Sequence, residues 1–122
     1  MLVIKETETK GRGVFAGKDF AEGDIVEICP VIILPSGDVA ALKDTELYNY
    51  DFIWDFEKES GCIVLGYGSL YNHSITPNAL YDRDFSLKEM KFFCIKPIKC
   101  GEEIFVNYNG DPNDQSLVWF EL

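Results

Sequence analysis

Short apolar runs separated by turn residues dominate this chain, and most runs are too short for helices. The pattern predicts strands over 14–16, 25–34, 52–56, 62–65, 90–95 and 104–108. Turn signals separate them: Ala21-Glu22-Gly23-Asp24, Glu57-Lys58-Glu59-Ser60-Gly61, the stretch 97–103 with Gly101, and Asn109-Gly110. Pro30 interrupts the longest run; a residue with no N–H to donate predicts a sheet edge or a kink there. One stretch, 38–50, reads as helical, with Asp38 as the cap of Val39-Ala40-Ala41-Leu42 and Thr45 as the cap of a turn through Tyr48. Residues 111–122 are polar at first and end in Leu117-Val118-Trp119-Phe120. Large aromatics at a terminus predict a tail that folds back onto an apolar surface. The periodicity therefore gives a mostly β fold of several small sheets with one short helical insert.

Length and composition narrow this further. A chain of 122 residues, 47% hydrophobic and 14% aromatic, is one packed domain over 1–122, with 113–122 as its tail. Eleven basic against 21 acidic residues leave a net charge of −10, the wrong sign for binding nucleic acid through its phosphates and the right sign for attracting a basic protein. Cys29, Cys62, Cys94 and Cys100 form no C-x-x-C pair, and Cys29 and Cys94 sit in apolar runs, so free thiols in a reducing compartment are expected. The N-terminus lacks a basic region followed by a long apolar run, and no apolar stretch approaches the ~20 residues that span a bilayer, so a soluble, cytoplasmic protein without membrane contact is expected.

Three clusters carry candidate chemistry. Gly11-Arg12-Gly13-Val14-Phe15 offers backbone that a ligand can approach closely, although no G-x-G-x-x-G follows. Tyr71-Asn72-His73-Ser74-Ile75-Thr76-Pro77-Asn78 sets polar side chains between apolar segments, where they must be hydrogen-bonded; the segment is either an ordered binding loop or a polar knot that closes the core. His73 is the sole histidine, so no metal site is expected. Gly101-Glu102-Glu103-Ile104-Phe105-Val106-Asn107-Tyr108 is a glycine turn feeding a strand that ends in tyrosine.

In order and spacing, these three clusters resemble the SET domain of protein-lysine methyltransferases, with its opening G-x-G, its central N-H-S-x-x-P-N and its closing G-E-E-[LI]-x-x-x-Y. Phe20-Ala21-Glu22-Gly23-Asp24-Ile25-Val26-Glu27 and Lys96-Pro97-Ile98 fit the same pattern, and the chain's length is similar to that of minimal stand-alone SET proteins of viral and bacterial type. The resemblance implies several small curved sheets with a C-terminal pseudoknot, and methyl transfer from S-adenosylmethionine to the ε-amine of a lysine in a basic protein. It implies Tyr108 as the catalytic tyrosine, and Arg12, Gly13, Asn72, His73 and Tyr108 as cofactor contacts. It suggests Tyr50, with Tyr48 as the alternative, as an aromatic of the lysine channel, and Tyr67 as a further substrate contact.

The chain departs from the family pattern in three places. Ile75 stands where the family often has Cys, Ile28-Cys29-Pro30 stands where many members have an aromatic and a glycine, and no cysteine-rich zinc-binding tail follows. Trp119 and Phe120 are the residues expected to close over the cofactor or the channel in its place, and a homodimer contact is a second way to complete the channel. The same motifs admit an alternative, a catalytically degenerate SET-like module that binds basic peptides.

Overall fold

The computed structural model describes residues 1–118. β1 (Leu2–Glu6) and β2 (Arg12–Ala16) form an antiparallel hairpin. Its turn is closed by the Thr7 N–H and hydroxyl, both donating to the Gly11 carbonyl at 2.7 Å. β3 (Ile25–Leu34), β4 (Phe52–Ile53), β5 (Gly61–Val64), β7 (Ala79–Asp84) and β8 (Glu89–Cys94) make a five-stranded sheet in the order β4-β5-β3-β8-β7. β6 (Asn72–His73) pairs in parallel with β9 (Phe105–Val106).

The long strand β3 lies in the middle of its sheet, so of the edge or kink expected at Pro30 the edge is not found. It changes partner along its length: Ile25 to Pro30 face β8, and Val31 to Leu34 face β5. Pro30 falls at the handover, where its carbonyl accepts the Leu65 N–H at 3.0 Å. A missing donor costs little where one ladder ends and another begins. The handover leaves β3 with two short ladders, one to β8 and one to β5, and the bulge between Ile25 and Glu27 lies within the first.

β8 shows why these residues form strands. Met90, Phe92 and Cys94 alternate inward and are at most 1% exposed, while Lys91 and Phe93 point to the other face. Phe92 stacks on Tyr71 at 4.4 Å between ring centroids, and Tyr71, Phe92, Ile98 and Ile104 are among the largest fully buried side chains. Cys29, Cys62 and Cys94 are buried free thiols; Cys100 is free and exposed.

The expected helix over 38–50 is shorter and broken. α1 (Ser36–Ala41) starts after Pro35, and two 3-10 turns, Leu42–Asp44 and Glu46–Asn49, follow it. Asp38 is not the cap of α1, whereas Thr45 is the N-cap residue of the turn Glu46–Asn49 but makes no side-chain cap bond. Asp38 sits inside the first turn of α1, and the Thr45 hydroxyl donates back to the Leu42 carbonyl at 2.7 Å. Pro35, with its fixed φ, caps the helix three residues earlier than Asp38 would. None of these three elements buries a residue, so packing does not extend them.

The C-terminal knot is held on both sides. On one side Ala16 N–H donates to the Glu102 carbonyl at 2.9 Å, and Ile104 N–H to the Val14 carbonyl at 2.8 Å. On the other side lies β6, and Ser74 N–H donates to the Val106 carbonyl at 3.0 Å. The tail then turns back: the Asn107 side chain donates to the Asp114 carbonyl, the Asn109 side chain to the Ser116 carbonyl, and Val118 is buried. Trp119 and Phe120 lie outside the described residues.

Candidate functional site

The site is built where β2, β6 and β9 meet. Asn72 is 8% exposed and commits both protons of its Nδ2, one to the Arg12 carbonyl at 3.2 Å and one to Glu103 Oε2 at 2.7 Å. One side chain thus joins the three sequence clusters, and its Oδ1 remains as an acceptor. Asn78 repeats the device: its Nδ2 donates to the Glu103 carbonyl at 2.9 Å, and its Oδ1 accepts the Phe105 N–H at 2.8 Å. Of the two readings of this polar segment, the knot that closes the core is realised, and Asn72 also faces a cavity. Gly13 is needed because a Cβ there would lie 2.8 Å from Asn72 Nδ2 and closer still to Glu103 Oε2.

His73 is 5% exposed, and its Nδ1 accepts the Tyr108 N–H at 3.0 Å. That bond requires the proton of a neutral imidazole to be on Nε2. The His73 carbonyl accepts the Lys10 ammonium at 2.7 Å. The Tyr108 hydroxyl donates to the Tyr71 carbonyl at 2.6 Å.

Two cavities meet at Tyr108. The smaller, about 100 Å³, is lined by Lys10, Gly11, Arg12, Leu70 and Asn72 together with Asn49, Tyr50, Ser69 and Tyr108. The larger, about 490 Å³, shares those last four residues and adds Tyr48, Phe52, Tyr81 and Val118 as mostly aromatic and apolar wall, with Asp51 and Arg83. The first is polar and carries two cations, Lys10 and Arg12, in an otherwise acidic protein. The second suits an apolar stem with a polar tip.

Burial sets the protonation here. It pushes the Tyr108 phenol up to about 12, with the Tyr50 and Tyr81 phenols and Glu103 adding to the effect. Burial also raises the Tyr71 and Tyr81 phenols and the Asp51 carboxyl above their ordinary values. The folded phenols therefore hold protons at a pH where unfolded ones lose them. The stability this gives is whole below pH 10, the unfolded value, and is lost as pH rises through about 12. Urea unfolding followed from pH 8 to 11.5 is expected to show midpoints that fall above pH 10, with phenolate absorbance from these tyrosines appearing only with unfolding. Phenols that titrate normally in the folded protein contradict this.

Most of the residues singled out from sequence converge. Arg12, Asn72, Tyr50 and Tyr108 line the smaller cavity, and Tyr48, Tyr50 and Tyr108 line the larger. Gly13 and His73 act beside the cavities, as spacer and strut. Tyr67 lines neither; it precedes the 3-10 turn Gly68–Leu70 with an exposed side chain, and its N–H donates to Glu27 Oε2 at 3.0 Å. Trp119, expected at the cofactor, lies outside the described residues. Lys10, Asn49, Ser69 and Tyr81 were not singled out. Only Tyr81 had a signal, its spacing of two from buried Ala79 on a strand face.

Comparison with known proteins gives the same outline. The family described as SET domain matches residues 11–109. A histone-lysine N-methyltransferase of Schizosaccharomyces pombe, specific for H3 lysine-37, is 32% identical over 121 residues, which cover 98% of this chain and 77% of the relative. A candidate histone methyltransferase from Plasmodium falciparum is similar in structure with a TM-score of 0.72 at 26% identity, over 91% of this chain and 99% of that one. A Chaetomium thermophilum Polycomb Repressive Complex 2 structure is similar with a TM-score of 0.76 at 24% identity. That match covers 88% of this chain but 15% of the other, and it is a likeness of fold.

Proposed function

This chain belongs to the SET-domain family of protein-lysine methyltransferases, and we propose that it moves a methyl group from S-adenosylmethionine to the ε-amine of a lysine in a basic protein. The observation that carries the reading is the pair of cavities that share Tyr50 and Tyr108, one polar and one aromatic. The residues fit a cofactor with an amino-acid end. Lys10 and Arg12 supply positive charge for a carboxylate, Asn72 Oδ1 is an acceptor for an ammonium, and the bare Gly13 backbone leaves Asn72 where it is. When bound, S-adenosylmethionine supplies an electrophilic methyl on a sulfonium.

The chain's own residues do the rest. Tyr48, Tyr50, Phe52 and Tyr81 wall the larger cavity and give a lysine stem apolar contact. The same low-polarity walls disfavour its ammonium and ease loss of the proton. Tyr108 stays protonated because its phenol is raised to about 12, and its proton is committed to the Tyr71 carbonyl. Toward an incoming amine or methyl, the Tyr108 oxygen therefore acts only as an acceptor. It holds the nucleophile in line, which for a displacement supplies most of the rate. A net charge of −10 draws basic substrates to the protein.

The test is transfer of label from methyl-labelled S-adenosylmethionine to histone and other Lys-rich peptides, a choice that the fission-yeast relative recommends. Label on a lysine ε-amine is expected. Failure to bind the cofactor at millimolar concentration overturns the reading, and binding without transfer to any basic protein favours a degenerate, peptide-binding module.

A further inference from the structure

Tyr71 is tied into the molecule at both ends. Its carbonyl accepts the Tyr108 hydroxyl at 2.6 Å, and its own phenol donates to Glu27 Oε1 at 2.8 Å. Between these points the ring is 1% exposed and stacks on Phe92 with 20° between the planes. Glu27 comes from β3, and its second oxygen accepts the Tyr67 N–H at 3.0 Å. One carboxylate therefore grips both ends of the turn 67–71, whose middle residues Ser69 and Leu70 line the cavities. The backbone is shaped to admit it. Gly66 has a φ of +64°, and a Cβ there would lie 2.5 Å from Glu27 Oε2.

We propose that Glu27 and Tyr71 form a positioning pair that fixes the Tyr108 hydroxyl where the two cavities meet. The inference rests on the role given to Tyr108 above.

Filling space does not account for this arrangement. Phenylalanine at 71 would stack on Phe92 equally well, without a phenol to desolvate and without a half-buried carboxylate to satisfy it. What the polar pair adds is direction. A ring pinned at its far end cannot slide along Phe92, so the carbonyl at its near end stays in place. That carbonyl orients the Tyr108 O–H, and with it the lone pairs that face the substrate. Neither Glu27 nor Tyr71 lines either cavity, and the phenol of Tyr71 bears on the site through the Tyr71 carbonyl and Tyr108. Tyr67 contributes its backbone rather than its ring.

The test is a double-mutant cycle in the full chain, read as single-turnover methyl transfer to a histone peptide. Tyr71→Phe keeps the stack and the carbonyl. It is expected to slow transfer about ten-fold, with the peptide KM and the cofactor Kd unchanged within about two-fold. Glu27→Ala, which also frees the Tyr67 N–H, should slow transfer at least as much, and Glu27→Gln, which still offers an oxygen to the phenol, should recover most of the rate. In a Tyr108→Phe background, Tyr71→Phe should have almost no further effect, because the group it positions is gone. A merely structural residue would show its full effect in both backgrounds, so additivity overturns the proposal, as does an unchanged rate in Tyr71→Phe. If Tyr108→Phe itself transfers at the wild-type rate, the role of Tyr108 fails and the pair has nothing to position.

Discussion

Tyr108→Phe is expected to lower the turnover of methyl transfer by about 10²–10³-fold, the usual cost of removing one preorganised polar group from a reacting centre. The substitution keeps the ring, and with it the wall shared by both cavities. It keeps the Tyr108 N–H bond to His73 Nδ1, which belongs to the backbone. What it removes is one oxygen and the 2.6 Å bond to the Tyr71 carbonyl. That bond contributes about 1 kcal/mol to folding, so the melting point should fall by only a few degrees. Peptide KM and cofactor Kd should stay within about three-fold, because the lost contact is made most strongly in the transition state. Single-turnover transfer and calorimetric titration together check both halves. A fall in kcat/KM that comes wholly from KM would make Tyr108 a binding wall rather than the group that aligns the amine.

The sheets were legible from sequence to the extent that they alternate. The runs at 25–34, 62–65 and 90–95 are strands within a residue at either end, because β-branched and aromatic residues crowd them between turn signals; only the last has an inward face of large apolar side chains. β1 went unseen because Leu2 and Ile4 are its partly covered positions in a stretch that otherwise reads as charged and frayed. β7 was hidden by its outer half: after Ala79 and Tyr81 it runs Asp82-Arg83-Asp84. The edge reading of Pro30 fails because a proline in a strand says only that no hydrogen is donated there; a change of partner in mid-sheet satisfies that as well as an edge does. β9 falls within the strand expected over 104–108, but two-residue β6 is too short for any period, and the knot that their parallel pairing makes was expected only from the family resemblance. Within the site, the motif residues were legible. The residues that complete the walls, Asn49, Ser69 and Tyr81, reach it from the turns and strand that the knot brings alongside, and no local pattern marks them as neighbours of Tyr108.

Asn72→Ala tests the joint itself, and it is expected to damage folding and binding together. The side chain is buried and donates to the Arg12 carbonyl and to Glu103 Oε2. Removing it orphans an acceptor on β2 and a carboxylate oxygen beside β9, in a place where water has poor access. Each lost bond of this kind costs about 1–2 kcal/mol, the one to the charged carboxylate more, for a total of about 2–4 kcal/mol and a fall in melting point on the order of 10 °C. The cofactor should suffer separately. An ammonium that loses the Asn72 Oδ1 acceptor in the smaller cavity loses a charge-assisted bond worth about 1.5–3 kcal/mol, which weakens Kd by about 10–100-fold. The two effects are separable by temperature. Calorimetric titration well below the mutant's melting point reads the second without the first, and saturating cofactor should then restore part of the turnover, because Tyr108 keeps its hydrogen bonds to His73 and Tyr71. A variant that melts low but binds cofactor within two-fold of the wild type would make Asn72 a structural joint alone, and would move the ammonium site to the other polar groups of that cavity.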